Sequence, residues 1–301
     1  MLNTALPRSC DMTDAPVDWR LCSAIAREHG RTFYLASHFQ LPARRRALHA
    51  IYAYCRIADD IVDRAATPDD AASLLAAWEA QLDAPTHPVA HTFAATRQLY
   101  GIPVEPARDL IVGIRSDLQP ALFATWEDLR NYCYQVAGTV GLLTAPVLGC
   151  SESSALPRAV DLGIAMQLTN ILRDVGEDAR QQRIYLPLAD LAAFGCTPES
   201  LLAGRPVGRF RELMVFEIAR ARSLYAAARP GISALSPAGQ MTALAASRLY
   251  ASILTRIEEL DYDVFNVRAT VHTRRKLRAL PAVALDFARI PRFPAVLSGD
   301  L

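Results

Sequence analysis

Apolar residues recur along this chain with a helical period of about 3.6, and strand-like alternation is nearly absent. Prolines interrupt that rhythm at roughly helix-length intervals, marking where one helix gives way to the next. The pattern predicts helices over about 19–37, 43–64, 69–83, 89–100, 104–118, 126–148, 155–178, 208–229, 238–261 and 270–287, with ends good to ~2–4 residues. No Gly/Ser-rich linker or compositional break divides the interior. A single all-α domain over 17–288 is therefore expected, flanked by a loosely held N-terminus, 1–16, and a C-terminal tail, 289–301.

Two of these helices carry their polar residues in an unusual way. Tyr52, Arg56, Asp59 and Asp63 stand at offsets of 0, 4, 7 and 11, and Gln167, Asn170, Asp174 and Asp178 at 0, 3, 7 and 11. At about 100° per residue, offsets of 7 and 11 return to within roughly 20° of the start, so each set forms one stripe. The intervening residues are largely apolar, Ile51, Ala53, Tyr54, Ala58 and Ile61 in the first, Leu168, Ile171, Leu172 and Val175 in the second. A surface helix is the inverse, an apolar stripe on a polar cylinder. Both helices are expected to be buried, with their carboxylates facing an internal cavity.

At 301 residues, 51% hydrophobic and 21% charged, the chain has the composition of a soluble globular protein with a sizeable core. A net charge of +1 gives no general attraction to nucleic acid, so any anion must be held by a local site. Lys276 is the sole lysine, so an individual arginine signals less than usual. The six cysteines are dispersed with no C-x-x-C pair, which suits reduced thiols in a cytoplasmic protein. Cys55, beside the first stripe, is a soft and poor Mg²⁺ ligand and reads as packing. The sequence lacks a secretory pattern at its start, and no charge-free run reaches the ~20 residues that span a bilayer. Peripheral contact with the inner face of a membrane stays open, because the basic runs 44–46 and 274–278 either meet anionic headgroups or are solvated helix ends.

Carboxylates one turn apart suit Mg²⁺, a hard ion that binds through one or two carboxylates, water and substrate phosphates. Like charges at that spacing destabilise an isolated helix by ~0.2–0.5 kcal/mol, which a cation relieves. Asp60 and Glu177 lie off the stripes, each four residues after an arginine, Arg56 and Arg173, and either pair with it or support the stripe from behind.

The runs YAYCRIADDIVD (52–63), YCYQVAGTVG (132–141) and QLTNILRDVGEDARQQRIYLP (167–187) resemble the squalene and phytoene synthase family, from about His29 to Pro281. The resemblance implies an all-α isoprenoid synthase fold with a central cavity between two aspartate-rich helices. It places metal ligands on Asp59, Asp63, Asn170 and Asp174, with Asp178 as a further one. It places substrate contacts on His29, Gly30, Arg31, Thr32, Tyr52, Arg56, Gln167, Arg173, Tyr250 and Arg268. Arg31 departs from the lysine common there, and holds phosphate by a fork rather than a point charge. Arg183 and Tyr185 match an Arg-x-Tyr-x-Pro element, with Arg183 either touching phosphate or closing a salt bridge. His29 either donates a hydrogen bond or caps a helix.

The implied enzyme is a Mg²⁺-dependent prenyltransferase of carotenoid biosynthesis, using two or three Mg²⁺ ions, or Mn²⁺, and prenyl diphosphate substrates. Its reaction joins two of them 1′-1 through a cyclopropyl diphosphate. The catalytic set is Asp59, Asp63, Arg56, Arg173, Tyr52 and Tyr250, with the two tyrosines either stabilising cationic carbon or serving as core aromatics. AGTVG resembles the carotenoid-forming members, and no Gly-x-Gly-x-x-Gly element supports reduction, so no NAD(P)H is expected. A small side chain at Ser37, one turn from Phe33, is expected to deepen the pocket and favour C20 geranylgeranyl diphosphate, hence phytoene. The alternatives are a C30 synthase using farnesyl diphosphate and a non-catalytic helical assembly factor.

Overall fold

The computed structural model describes residues 17–290 apart from 120, 121, 273, 274, 276, 277 and 279. The expectations for the N-terminal segment 1–16, for most of the basic run 274–278 and for most of the C-terminal tail lie outside the described residues. Among those described, the chain is helical with no strand. None of its helices is long and apolar enough to cross a membrane.

Helix α1 (Trp19–His29) is capped by Asp18, which accepts from the Leu21 amide, and leads into α2 (Arg31–Ser37). The first aspartate helix is α3 (Pro42–Arg64), begun by a proline whose missing N–H costs nothing in the first turn. Helices α4 (Pro68–Ala80), α5 (Pro88–Tyr100) and α6 (Glu105–Ser116) pack around it. Their shared core holds Tyr54 stacked on Trp78 and Phe93, at 5.0 and 4.3 Å between ring centroids. Each such buried aromatic or aliphatic contributes ~1.5–3 kcal/mol. With Tyr54, Ala58 and Ile61 committed to that core, the stripe on the other face of α3 is turned inward across the molecule.

A capping box at Thr125 and Asp128 starts α7 (Trp126–Cys133), which passes through a π-helical turn (Tyr134–Gly138) into α8 (Thr139–Thr144). The second aspartate helix, α9 (Leu156–Arg180), follows a 3₁₀ turn (Ser153–Ala155). It is surrounded by α7, α8, α12 (Phe210–Ala228) and α13 (Pro237–Glu259), the short α10 (Leu188–Ala193) and α11 (Pro198–Leu202) lying between. A second 3₁₀ turn (Arg229–Ala234) joins α12 to α13, and α14 (Leu280–Ala288) lies against α13. The AGTVG segment has a packing reason. Side chains at Gly141 and Gly163 would stand 2.3 Å from the carbonyl oxygens of Ala159 and Ala137, so the backbones of α8 and α9 meet directly.

The periodicity predicts most helices to within a few residues and errs where backbone geometry overrides it. The predicted 19–37 helix breaks at Gly30, whose φ of −115° and ψ of 46° are not helical. The predicted 126–148 helix contains the π turn and ends at Thr144. Helices α10 and α11 are too short for periodicity to register.

Candidate active site

Between α3 and α9 lies a cavity of about 890 Å³. One end is polar, walled by Tyr52, Arg56 and Asp59 from α3, Gln167, Asn170 and Arg173 from α9, and Arg268 from the chain beyond α13. The rest is a mainly apolar tunnel along one face of α9, past Met166, Leu162, Ala159 and Ala155, also lined by Val140, Ala145, Gly231, Ile232 and Ala243 and by Cys150 and the exposed Arg158. His29, Gly30, Arg31 and Thr32, at the break between α1 and α2, also line it, as does Tyr250. The two stripes thus share one cavity.

Position along each helix, not phase, separates the members that reach the space from those that do not. Asp59 stands within it, and burial together with nearby Asp63, Asp117 and Asp60, against the pull of Arg56, pushes its carboxyl up to about 7. Asp63, a turn later, is 53% exposed at the rim, outside the cavity wall, with Arg183 at 3.9 Å. Asp178 is also outside the main wall, in a small crevice beside Arg183 and Tyr185; burial, Asp174 and Glu177 raise it to about 7. Arg183 therefore spans from the end of the second stripe to the end of the first. Its salt bridge runs across the stripes rather than at its own helix end.

Asp174 is held by two guanidinium groups. Arg173 Nε donates to it at 2.8 Å, and Arg268 donates to both of its oxygens at 2.8 and 3.1 Å. Burial alone would raise this carboxyl, but the arginines hold it below the usual range. Among the described residues, no three acidic, histidine or cysteine side chains converge on one ion.

Of the two alternatives for Glu177, the ion pair with Arg173 is not made; it lies 3.4 Å from Arg268 instead. Asp60 does pair with Arg56, and with Arg64 at 3.2 Å. Arg56 Nε is buried and has no hydrogen-bond partner, leaving a donor for an anion in the cavity. Tyr52 stacks on Phe33 with ring centroids 5.2 Å apart, and burial beside Tyr250 raises its phenol. Cys55 is 8% exposed and its thiol is raised by burial, as suits packing.

Ser37, expected to deepen the pocket, does not line it. It is fully buried behind the wall, donates to the Tyr34 carbonyl at 2.7 Å, and sits 2.9 Å from His49 Nε2. Since the Ser37 proton is spent on Tyr34, His49 Nε2–H donates to Ser37 and Nδ1 accepts from Ser23 at 3.0 Å. Burial lowers His49 to about 4, so it is neutral in this network. Arg44 donates through one Nη to the Val147 carbonyl at 2.6 Å.

A further carboxylate escaped the sequence. Asp117, just past α6, accepts from Tyr132 at 2.9 Å and from Tyr185 at 3.0 Å. Burial raises it, the two hydroxyls working in the other direction, and it lies close enough to Asp59 and Asp63 to act on both. Tyr132 and Tyr185 sit inside the quoted motifs, but nothing in SDLQP marks Asp117.

An all-helical shell around one cavity, with Asp59 on the α3 wall and Gln167, Asn170 and Arg173 on the α9 wall, has the architecture of the isoprenoid synthase class. A dehydrosqualene synthase solved in complex with ligand has the same fold, with a TM-score of 0.83 and 30% identity over 89% of this chain and 95% of that one. Squalene synthase HpnC from Alicyclobacillus acidocaldarius gives 0.75 and 29%, over 81% and 94%. Residues 26–275 match the squalene/phytoene synthase family model, and the chain belongs to that family of prenyltransferase-type enzymes. It is 43% identical over 285 residues to a phytoene synthase of Arthrospira platensis, covering 89% of this chain and 92% of that one. It is 38% identical over 307 residues to the chloroplastic phytoene synthase 3 of Zea mays, covering 96% and 72%.

Proposed function

We propose that the chain joins two geranylgeranyl diphosphates 1′-1 through a cyclopropyl diphosphate to give phytoene, with Mg²⁺ and with loss of both diphosphates. The tunnel is the observation that carries this reading. From Asn170 at its polar end to Ala155 at its far end it follows α9 for about 22 Å, at 1.5 Å per residue. A C20 prenyl main chain, about sixteen carbons joined by ~1.5 Å bonds, extends to roughly 20 Å; the twelve of a C15 chain reach roughly 15 Å. The relatives named as phytoene synthases support the same choice.

The donors in and beside the polar end fit Mg²⁺, being oxygens alone: Asp59 and the Asn170 amide in the cavity wall, and the carboxylates of Asp63, Asp174 and Asp178 outside it. Asp59 and Asp178, raised by burial with too little positive charge beside them, supply the negative field that a divalent ion neutralises. When bound, Mg²⁺ supplies Lewis-acid neutralisation of the departing diphosphate. Arg56, through its unpartnered Nε, and Arg31, Arg173 and Arg268 hold phosphate oxygens in fixed directions, so little reorganisation accompanies the loss of the leaving group. Gln167 and Asn170 orient the phosphate end, and His29 and Thr32 border it. Arg183 links the two stripes at the rim. The apolar tunnel keeps water from the allylic cation, and the ring faces of Tyr52 and Tyr250 lie along the wall where positive carbon develops.

A C40 hydrocarbon partitions into lipid, so cytoplasmic synthesis with peripheral membrane contact belongs to the same proposal; flotation with anionic vesicles tests it. For the reaction itself, purified protein is given geranylgeranyl or farnesyl diphosphate with Mg²⁺ and the hydrocarbon is weighed. A C40 product from the first supports the proposal. A C30 product from the second alone replaces C20 with C15, and no diphosphate release from either leaves a helical scaffold.

A further inference from the structure

The chain beyond α13 crosses α9 at one residue of the RDVGED run. Asp261 and Tyr262 both adopt left-handed backbone, φ 50° and 63°, a conformation that costs energy in side-chain-bearing residues. Arg211 braces this turn, bonding Asp261 at 3.0 Å and lying over the Tyr262 ring. The crossing is at Gly176. A Cβ there would stand 2.4 Å from the Val264 carbonyl oxygen and 2.6 Å from Phe265 Cα, both backbone atoms that cannot turn aside.

The crossing is fastened on both sides. Arg180 Nη1 donates to the Phe265 carbonyl at 3.1 Å, the Phe265 ring packs on Phe210 at 5.4 Å, and Val264 and Ala269 are buried. Beyond it the segment carries Arg268 onto Asp174 and beside Glu177, the charged neighbours of Gly176 on α9, and sends Thr270 and Val271 into the cavity wall.

We infer that Gly176 is a positioning residue: its missing side chain seats a strap, residues 261–272, that holds Arg268 over Asp174, and an incoming diphosphate is captured as Arg268 passes from that carboxylate to a phosphate oxygen. The capture step rests on the diphosphate chemistry proposed above; the seat does not.

Hydrogen exchange of the strap amides and calorimetric binding of pyrophosphate with Mg²⁺, both on the full chain, test the two parts. Gly176→Ala is expected to speed exchange across 262–272 without ligand. It should weaken pyrophosphate about tenfold, the worth of one charge-assisted contact, and raise KM more than it lowers kcat. Arg180→Met, an exposed change that leaves α9 packing intact, should give the same pattern more weakly, and keeps the test open if the alanine variant fails to fold. Unchanged exchange in a folded variant overturns the seat. Faster exchange with unaltered pyrophosphate affinity overturns capture. A parent that binds no pyrophosphate overturns capture together with the diphosphate reading, and exchange then judges the seat alone.

Discussion

The Tyr52 ring lies against the Cα of Gly30: a Cβ on residue 30 would stand 2.6 Å from Tyr52 Cζ and 2.9 Å from its hydroxyl oxygen. The break between α1 and α2 and the position of a cavity tyrosine are thus one feature. Gly30→Ala should cost about 1–3 kcal/mol through overpacking, because Tyr52 must give up its stacking on Phe33 and shift into the cavity it lines. Pairing it with Tyr52→Leu should restore part of that stability without restoring full activity. Additive losses in a denaturation double-mutant cycle would show that the two residues do not oppose each other.

Product length is expected to respond on α9 rather than at Ser37. Ala159 faces the tunnel about 16 Å from Asn170, at 1.5 Å of rise per residue, so Ala159→Phe leaves room for a C15 chain and not a C20 one. Mass analysis with mixed substrates should show C30 product rising at the expense of C40. Ser37→Phe should instead break the Ser37–His49–Ser23 network and lower stability by roughly 2–4 kcal/mol, through lost hydrogen bonds and overpacking. A stable Ser37→Phe enzyme with a clean shift to C30 would return the determinant to position 37.

Sequence made the two stripes, their burial and the shared cavity legible, because each stripe is local and its phase follows from helix geometry alone. It could not tell that Asp63 falls at the rim, or that Arg268, ninety-four positions away, bonds Asp174. Those outcomes depend on how distant segments meet. Ser37 shows the limit most clearly: small residues leave room only where they face the cavity, and one turn of α2 turned this one toward His49 instead. Asp117 lacked any local pattern, since its partners Tyr132 and Tyr185 come from elsewhere in the chain.

A buried charge cluster outside the cavity sets a pH dependence. Glu217 is fully buried on α12, between Arg220 at 2.7 Å and Asp190 from α10; the Arg220 guanidinium lies over the rings of Trp126 and Phe216, and Cys133 is nearby. Burial, opposed by Arg220 and aided by Asp190, pushes its carboxyl up to about 8, from an ordinary value near 4.5. The folded state therefore holds a proton that the unfolded state has released between those values. By linkage, the stability from this site falls as pH rises from about 4.5 to about 8, then levels off. Glu217→Gln should flatten that slope and gain on the parent at pH 8.5, as read by urea denaturation at several pH values. Parallel pH profiles for the two proteins would mean that Glu217 is charged when folded.

The most direct measurement is anomalous diffraction at the manganese edge from crystals soaked in Mn²⁺ and pyrophosphate. Manganese should lie within about 2.0–2.3 Å of oxygens from both walls, Asp59 on one side and Asn170 or Asp174 on the other, around one pyrophosphate. Arg173 and Arg268 should have turned from Asp174 to phosphate oxygens. Manganese on one stripe only, or pyrophosphate bound elsewhere on the surface, would contradict the idea that the facing stripes grip one diphosphate between them.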